Sequence, residues 1–199
     1  PSPLEAVAVG QLVEKFPVTV LMAAPTFLQL YLRRVPPSQF GSVRLILAGA
    51  ERLPDSLAAA VEDGFGIRPM EGYGVTECSP FVAVNTFDYR APGLFQPGCR
   101  RGTVGQPIPG VAVRIVSPTN HEPMKANEEG LVLVKGPNVM AGYLGRPDLT
   151  EKAFLDGWYN TGDLGMLSED GFLKITGRLS RFSKIGGEMV PHGRVEEAL

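Results

Sequence analysis

A chain of 199 residues fits one or two domains and can bury roughly 70% of the surface its unfolded form exposes. Hydrophobic residues make up 44% and charged residues 20%, the balance of an ordinary soluble globular protein, and 24 glycines with 18 prolines predict many turns without low complexity. The formal net charge of −2 leaves no global electrostatic footprint, which argues against nucleic acid and anionic lipid as partners.

Cys78, Cys99, His121 and His192 show no metal-ligand spacing. A disulfide framework is therefore not expected, and reduced thiols in a cytoplasmic protein are the default. No apolar run approaches the ~20 residues of a membrane span, and Pro1-Ser2-Pro3 resembles no signal peptide. A start without methionine reads as a piece of a longer protein, whose other parts would have to supply any membrane association.

In chain order, residues 4–16 place Leu4, Ala8, Leu12 and Phe16 at helical spacing, and Pro17 stops that helix. Val18-Thr19-Val20-Leu21-Met22 is short, β-branched and apolar, as a buried strand should be. Pro25 opens a second helix through Phe27, Leu28 and Tyr31, and Val43-Arg44-Leu45-Ile46-Leu47 is the next strand. From Pro54, Leu57, Val61 and Phe65 mark a third helix closed by glycine near 64–66. Helix alternating with strand predicts parallel strands covered by helices.

In such sheets ligands collect beyond the carboxyl ends of the strands, where Gly49-Ala50-Glu51 and Gly72-Tyr73-Gly74 fall. Two glycines around an aromatic let the backbone turn sharply and leave the ring free to stack on a base. Thr76 and Glu77 then add a hydroxyl and a carboxylate suited to phosphate and Mg²⁺. The competing reading is a tight strand-to-helix turn with Thr76 as its cap.

Beyond Pro80 the character changes. Residues 90–101 are rich in glycine and proline and read as a loop, and residues 111–116 and 131–135 alternate as strands joined in a hairpin by the turn over 118–129. Residues 147–154 read as a brief helix. Trp158-Tyr159-Asn160-Thr161-Gly162-Asp163 and Phe172-Leu173-Lys174-Ile175-Thr176-Gly177-Arg178 flank Asp170-Gly171, a strong hairpin signal. That hairpin sets Asp163 and Arg178 near each other at its open end. Carboxylate and guanidinium at one mouth suit a ribose and its phosphate, and a rim salt bridge is the competing reading. Many short antiparallel strands suggest a small barrel or sandwich.

Taken together, Gly72-Tyr73-Gly74-Val75-Thr76-Glu77, Gly136 with Gly142-Tyr143, Trp158 to Asp163, and Gly177-Arg178 with Lys184, Gly186, Gly187 and Val195-Glu196 resemble the ordered motifs of the adenylate-forming enzymes. That superfamily includes acyl-CoA synthetases, luciferases and peptide-synthetase adenylation domains. Ala48-Gly49-Ala50-Glu51, residues 71–78, Lys135-Gly136-Pro137-Asn138 and residues 181–190 look like the acyl-(acyl-carrier-protein) synthetase part of the bifunctional 2-acylglycerophosphoethanolamine acyltransferases.

The resemblance implies an α/β fold in three parts. They are a partial parallel-sheet subdomain over residues 1–88, an antiparallel β-barrel subdomain over 89–178, and the hinge and start of a lid domain over 179–199. It implies an ATP-dependent, AMP-forming ligase that activates a fatty acid as acyl-AMP and hands it to a phosphopantetheine thiol of coenzyme A or of an acyl carrier protein. Tyr73, within Gly72 and Gly74, would stack on adenine with the Gly49, Ala50 and Glu51 backbone nearby. Thr76 would meet phosphate, Glu77 would hold Mg²⁺, Asp163 would bind the ribose hydroxyls, and Arg178 would contact ribose and phosphate. Thr76, Glu77 and Arg178 are thus the catalytic candidates. Residues 184–189 would border the pantetheine route, and Pro25, Thr26, Phe27 and residues 78–82 would line the acyl pocket, although Phe27, Phe81 and Val82 equally suit a core. The parent protein would be cytoplasmic or at the inner face of the cytoplasmic membrane.

Several departures accompany the matches. The family's upstream phosphate loop and late lysine fall outside this stretch, so the chain by itself is expected to be inactive as a synthetase. Ser180 stands at the hinge position where the family commonly has Asp or Lys, and Gly130-Leu131 replaces a usual Gly-Glu pair. Two other readings stay open: a non-catalytic nucleotide- or carrier-protein-binding module, and a structural protein in which every cluster is turn chemistry.

Overall fold

The computed structural model describes residues 2–185 and 188–191. The chain forms two compact units, one holding the chain up to Gly74 with Val84–Gly102, the other holding Val75–Ala83 and the chain from Thr103 onward.

The first unit alternates α1 (Ala6–Lys15), β1 (Val20–Ala23), α2 (Pro25–Arg34), β2 (Leu45–Ala48), α3 (Asp55–Phe65) and β3 (Met70–Gly74). On α1 the buried residues Ala6, Gly10 and Val13 recur at helical spacing and form one inward stripe. Pro25 occupies the first turn of α2, where its missing N–H goes unneeded, and Arg33 and Arg34 sit against the negative end of the helix dipole. Gly66, at φ 71°, accepts the left-handed conformation that ends α3, and its N–H donates to the Glu62 carbonyl. β1 pairs β2 and β2 pairs β3, both parallel, as alternation with helices dictates. Leu28, Ile46 and Val61 are completely buried at the centre of this core, and Phe40 stacks obliquely on Phe65 with ring centroids 4.8 Å apart.

The segment expected to be a loop over 90–101 holds two short antiparallel strands, β5 (Tyr89–Ala91) and β6 (Leu94–Gln96). Pro92-Gly93 makes their turn, with Gly93 at φ 75°. β4 (Phe81–Val84) precedes them in the chain.

The second unit contains β7 (Gln106–Pro107), β8 (Ala112–Val116), β9 (Gly130–Lys135), α4 (Pro147–Ala153), β10 (Phe154–Leu155), β11 (Trp158–Leu167) and β12 (Leu173–Arg178). β13 (Phe182–Ile185) and β14 (Glu188–Pro191) pair as a separate antiparallel ribbon. The main sheet runs β10-β11-β9-β8, with β12 also on β11. Val116, Leu131, Leu133 and Leu164 form a core packed by Leu155, Trp158 and Leu179. Leu131 faces that core at 2% exposure, so the Gly130-Leu131 pair is a burial position, where a glutamate would be stranded.

The β-barrel expected for residues 89–178 is not what the chain builds: among the described residues no sheet closes on itself. The reason lies in how β11 shares its edges. β9 takes one edge, while β10 and β12 divide the other between its first and last residues. Any cross-section therefore cuts about four strands, far from the roughly eight that close a small up-and-down barrel. Among the described residues, the far side of β8 meets only an isolated bridge between Val116 and Pro123. The result is an α/β chain with a parallel run of β1, β2 and β3 and a separate open antiparallel sheet.

Candidate functional site

In the first unit, Gly49-Ala50-Glu51 leaves the end of β2 with Ala50 at φ 69°, a left-handed conformation unusual for a residue with a Cβ. Glu51 is exposed, and its Oε2 accepts a 2.7 Å hydrogen bond from the Thr26 hydroxyl. Thr26 thus links the start of α2 to this loop.

Gly72-Tyr73-Gly74 does not turn. All three residues belong to β3, and neither glycine is among the residues with positive φ. Tyr73 is half-buried within the strand, and the Glu71 carbonyl accepts from the Asn85 N–H at 2.9 Å. Burial pushes the Glu71 carboxyl above its ordinary value.

The turn comes later, in the second unit, as a single 3₁₀ turn over Thr76–Cys78 followed by Ser79 at φ 56°. Thr76 is not the helix cap that its type allowed: Val75 holds that position, with no side-chain cap bond, and Thr76 is exposed. The turn is pinned from several sides. The Val75 N–H donates to Pro80 O (2.9 Å) and the Met140 N–H to Glu77 O (2.7 Å). The Asn138 amide nitrogen donates to both Cys78 O (2.9 Å) and Phe81 O (2.8 Å). Gly136 permits this, since a Cβ there would stand 2.8 Å from Asn138 Oδ1.

The Glu77 side chain is also held. The Tyr143 hydroxyl donates to Glu77 Oε1 at 2.8 Å across 66 positions of sequence. The Glu77 carboxylate raises the Tyr143 phenol, and burial raises that of Tyr159. Burial, helped by Glu77, pushes the Cys78 thiol up to about 11. Tyr143 owes its place to Gly142: its N–H is taken by Thr150 Oγ1 at 2.9 Å, and a Cβ on Gly142 would lie 2.7 Å from Thr150 Cγ2.

The Asn160-Thr161-Gly162-Asp163 stretch is a bulge in β11. Asn160 pairs with Leu133 and Leu164 with Leu131, so three residues of β11 stand where β9 has Val132 alone. Side chains replace the lost ladder bonds. Thr161 Oγ1 donates to Val132 O (2.9 Å) and accepts from the Asp163 N–H (3.1 Å), while the Gly162 N–H donates to Asn160 Oδ1 (2.9 Å). Gly162 takes φ 71° with open space where a Cβ would be. Asp163 and Arg178 are direct cross-strand partners on β11 and β12, joined from Arg178 Nε to Asp163 Oδ1 at 3.0 Å.

Gly49, Ala50, Glu51, Gly72, Tyr73 and Gly74 thus fall in the first unit, and Thr76, Glu77, Asp163 and Arg178 in the second. Asp163 is brought together with Arg178, and Glu77 with Tyr143. Of the acyl-pocket candidates, Val82 is fully buried and Phe27 packs on the first unit's core. Gly186, Gly187 and Val195-Glu196 lie outside the described residues. Tyr143 and Asn138 sit inside motif stretches, yet their connection to the turn is a long-range contact that no local spacing encodes.

Residues 2–144 match the family described as AMP-binding enzyme. The long-chain-fatty-acid–CoA ligase of Salmonella typhimurium is 32% identical over 187 residues, which is 93% of this chain and 32% of that protein. The feruloyl-CoA synthase of Amycolatopsis sp is 34% identical over 194 residues, 96% of this chain and 38% of that one. The ATP-bound crystal structure of MatB from Rhodopseudomonas palustris superposes with a TM-score of 0.83 at 30% identity, covering 97% of this chain and 37% of that one. The chain spans about a third of the length of the curated relatives it matches. A family match over most of its length, joined to the turn at Glu77 and the bulge at Asp163, shows that this chain belongs to the AMP-binding enzymes.

Proposed function

We propose that the protein carrying this chain activates a carboxylate with Mg-ATP and passes the acyl group to a thiol. A carboxylate oxygen attacks the α-phosphorus, the bond to the β-phosphate breaks, and pyrophosphate leaves. A thiolate then takes the acyl carbon and AMP departs. The observation that carries this reading is the Asp163–Arg178 pair, an acid 10% exposed at its side chain against a guanidinium 55% exposed. A bulge that orients a nearly buried carboxylate against a reachable forked donor suits a ribose and the phosphate attached to it.

In this reading Asp163 accepts from the ribose hydroxyls and Arg178 donates to ribose and phosphate. Tyr73 stacks on adenine near Gly49, Ala50 and Glu51, and exposed Thr76 donates to phosphate. Glu77 fits Mg²⁺: among the described residues no cluster of three or more His, Cys, Asp or Glu could hold a metal alone, and Mg²⁺ is ordinarily held by one or two carboxylates with substrate phosphates and water. When bound, the cation neutralises phosphate charge as the α-phosphorus is attacked.

For the acyl group we infer a fatty acid, and for the acceptor a phosphopantetheine thiol. The residues shared with the acyl-(acyl-carrier-protein) synthetase part of 2-acylglycerophosphoethanolamine acyltransferases favour a carrier protein, while the Salmonella and Amycolatopsis relatives are by name coenzyme A ligases. Supplying acyl-AMP with either coenzyme A or the phosphopantetheinylated carrier separates the two. The nucleotide site is tested by calorimetric titration with ATP. Asp163→Ala is expected to lose about 2 kcal/mol, roughly thirtyfold in Kd, and an unchanged affinity would remove the basis of this assignment.

A further inference from the structure

Glu77 carries the one carboxylate of the 76–78 turn, and that carboxylate is gripped from outside the turn. Tyr143 lies half-buried in the loop before α4. Its backbone is held by its own N–H, which donates to Thr150 Oγ1 at 2.9 Å, and its hydroxyl donates to Glu77 Oε1 at 2.8 Å. The phenol proton is thus committed to one oxygen of the carboxylate.

We propose that Tyr143 is a positioning residue for Glu77, a phenol that fixes Oε1 so that Oε2 is presented in advance to the divalent cation accompanying the nucleotide. This rests on the assignment of Glu77 as the cation's ligand. A glutamate side chain has three rotatable bonds, and holding one oxygen in place before binding removes the ordering cost that a loose carboxylate would charge to the metal. The hydrogen bond also fixes which oxygen remains to ligate, the usual task of groups behind a metal ligand. The six backbone and amide bonds that pin residues 75–81 fix the Cα of Glu77, and the Tyr143 hydroxyl fixes its tip.

The test is cation-dependent nucleotide binding. ATP is titrated calorimetrically with saturating Mn²⁺ and again with EDTA, for wild type, Tyr143→Phe and Glu77→Gln. The expected result is that Tyr143→Phe weakens Mn·ATP about tenfold to hundredfold and leaves ATP binding in EDTA unchanged. A purely structural role, or a loss of folded protein, would weaken both titrations alike and overturn the proposal. If Glu77→Gln weakens Mn·ATP while Tyr143→Phe matches wild type, the positioning role is wrong and the Glu77 assignment stands. If Glu77→Gln also binds Mn·ATP as wild type does, the assignment fails and takes the positioning role with it.

Discussion

Arg178 stands opposite Asp163 because β12 carries one extra residue. Gly165 pairs with Ile175, yet Leu164 pairs with Gly177, so Thr176 is passed over and the next pair becomes Asp163 with Arg178. An uninterrupted ladder would have set Gly177 there, with no side chain to offer. Thr176 Oγ1 is accordingly buried without a hydrogen-bond partner.

The pair should matter more to ligand than to fold. Arg178 is more than half exposed, so Arg178→Ala is expected to cost about 1 kcal/mol or less in denaturant unfolding. The same variant should lose well over tenfold in ATP affinity. A stability loss that matched or exceeded the binding loss would assign the pair to the hairpin alone.

Two glycines of β11 should fail in different ways. Alanine at Gly162 meets open space but must hold φ 71°, at a cost of about 1–2 kcal/mol. Alanine at Gly165 would put its Cβ 2.6 Å from the Lys174 carbonyl oxygen and 3.1 Å from Val132 Cγ2, forcing β11 and β12 apart. Amide hydrogen exchange distinguishes them: protection in β12 persists in Gly162→Ala and drops in Gly165→Ala.

Asn138 spends its amide on two carbonyls of the segment around Cys78. Asn138→Ala leaves both unmet and is expected to cost about 1–3 kcal/mol. Cys78 is buried and reports the loosening directly: its labelling by a small thiol reagent at fixed pH should accelerate in the variant.

Glu71 gives a pH signature. Its carboxyl is raised in the folded state, chiefly by burial, so the folded form holds the proton more tightly than the unfolded form does. That contribution is fully present below the ordinary value of 4.5 and is lost as pH rises through the raised one. Glu71→Gln removes the titration, so its stability relative to wild type should climb with pH above 4.5 and level off once the raised value is passed. A difference that stays flat from pH 4 to 7 contradicts this sign.

Much of this could be read from residue order. Pro25, Gly66 and the spacing of Ala6, Gly10 and Val13 mark helix boundaries and faces by local chemistry, and Asp170-Gly171 announces the β11–β12 hairpin. What escaped was set by neighbours. β5 and β6 are three residues each and largely exposed, so no alternation betrays them. Gly72 and Gly74 read as turn glycines because composition cannot tell an extended glycine from a left-handed one. Which strands share an edge of β11 is likewise invisible in a list of alternating residues, and that choice separates an open sheet from a barrel. At the site, Asp163 and Arg178 could be paired from the hairpin alone, while the contact from Tyr143 to Glu77 had no local trace.

The bulge at 160–163 adds two residues to β11 relative to β9, an even number, so inward and outward faces keep their alternation on either side and Leu164 still lands on Leu131. Length in this motif is therefore constrained by parity. Loss or gain of a single amino acid would swing Leu164 off the face it shares with Leu131 and Leu133 and carry the acidic group at 163 to the opposite surface. Sequence variants here should tolerate exchanges of residue type far better than changes in count.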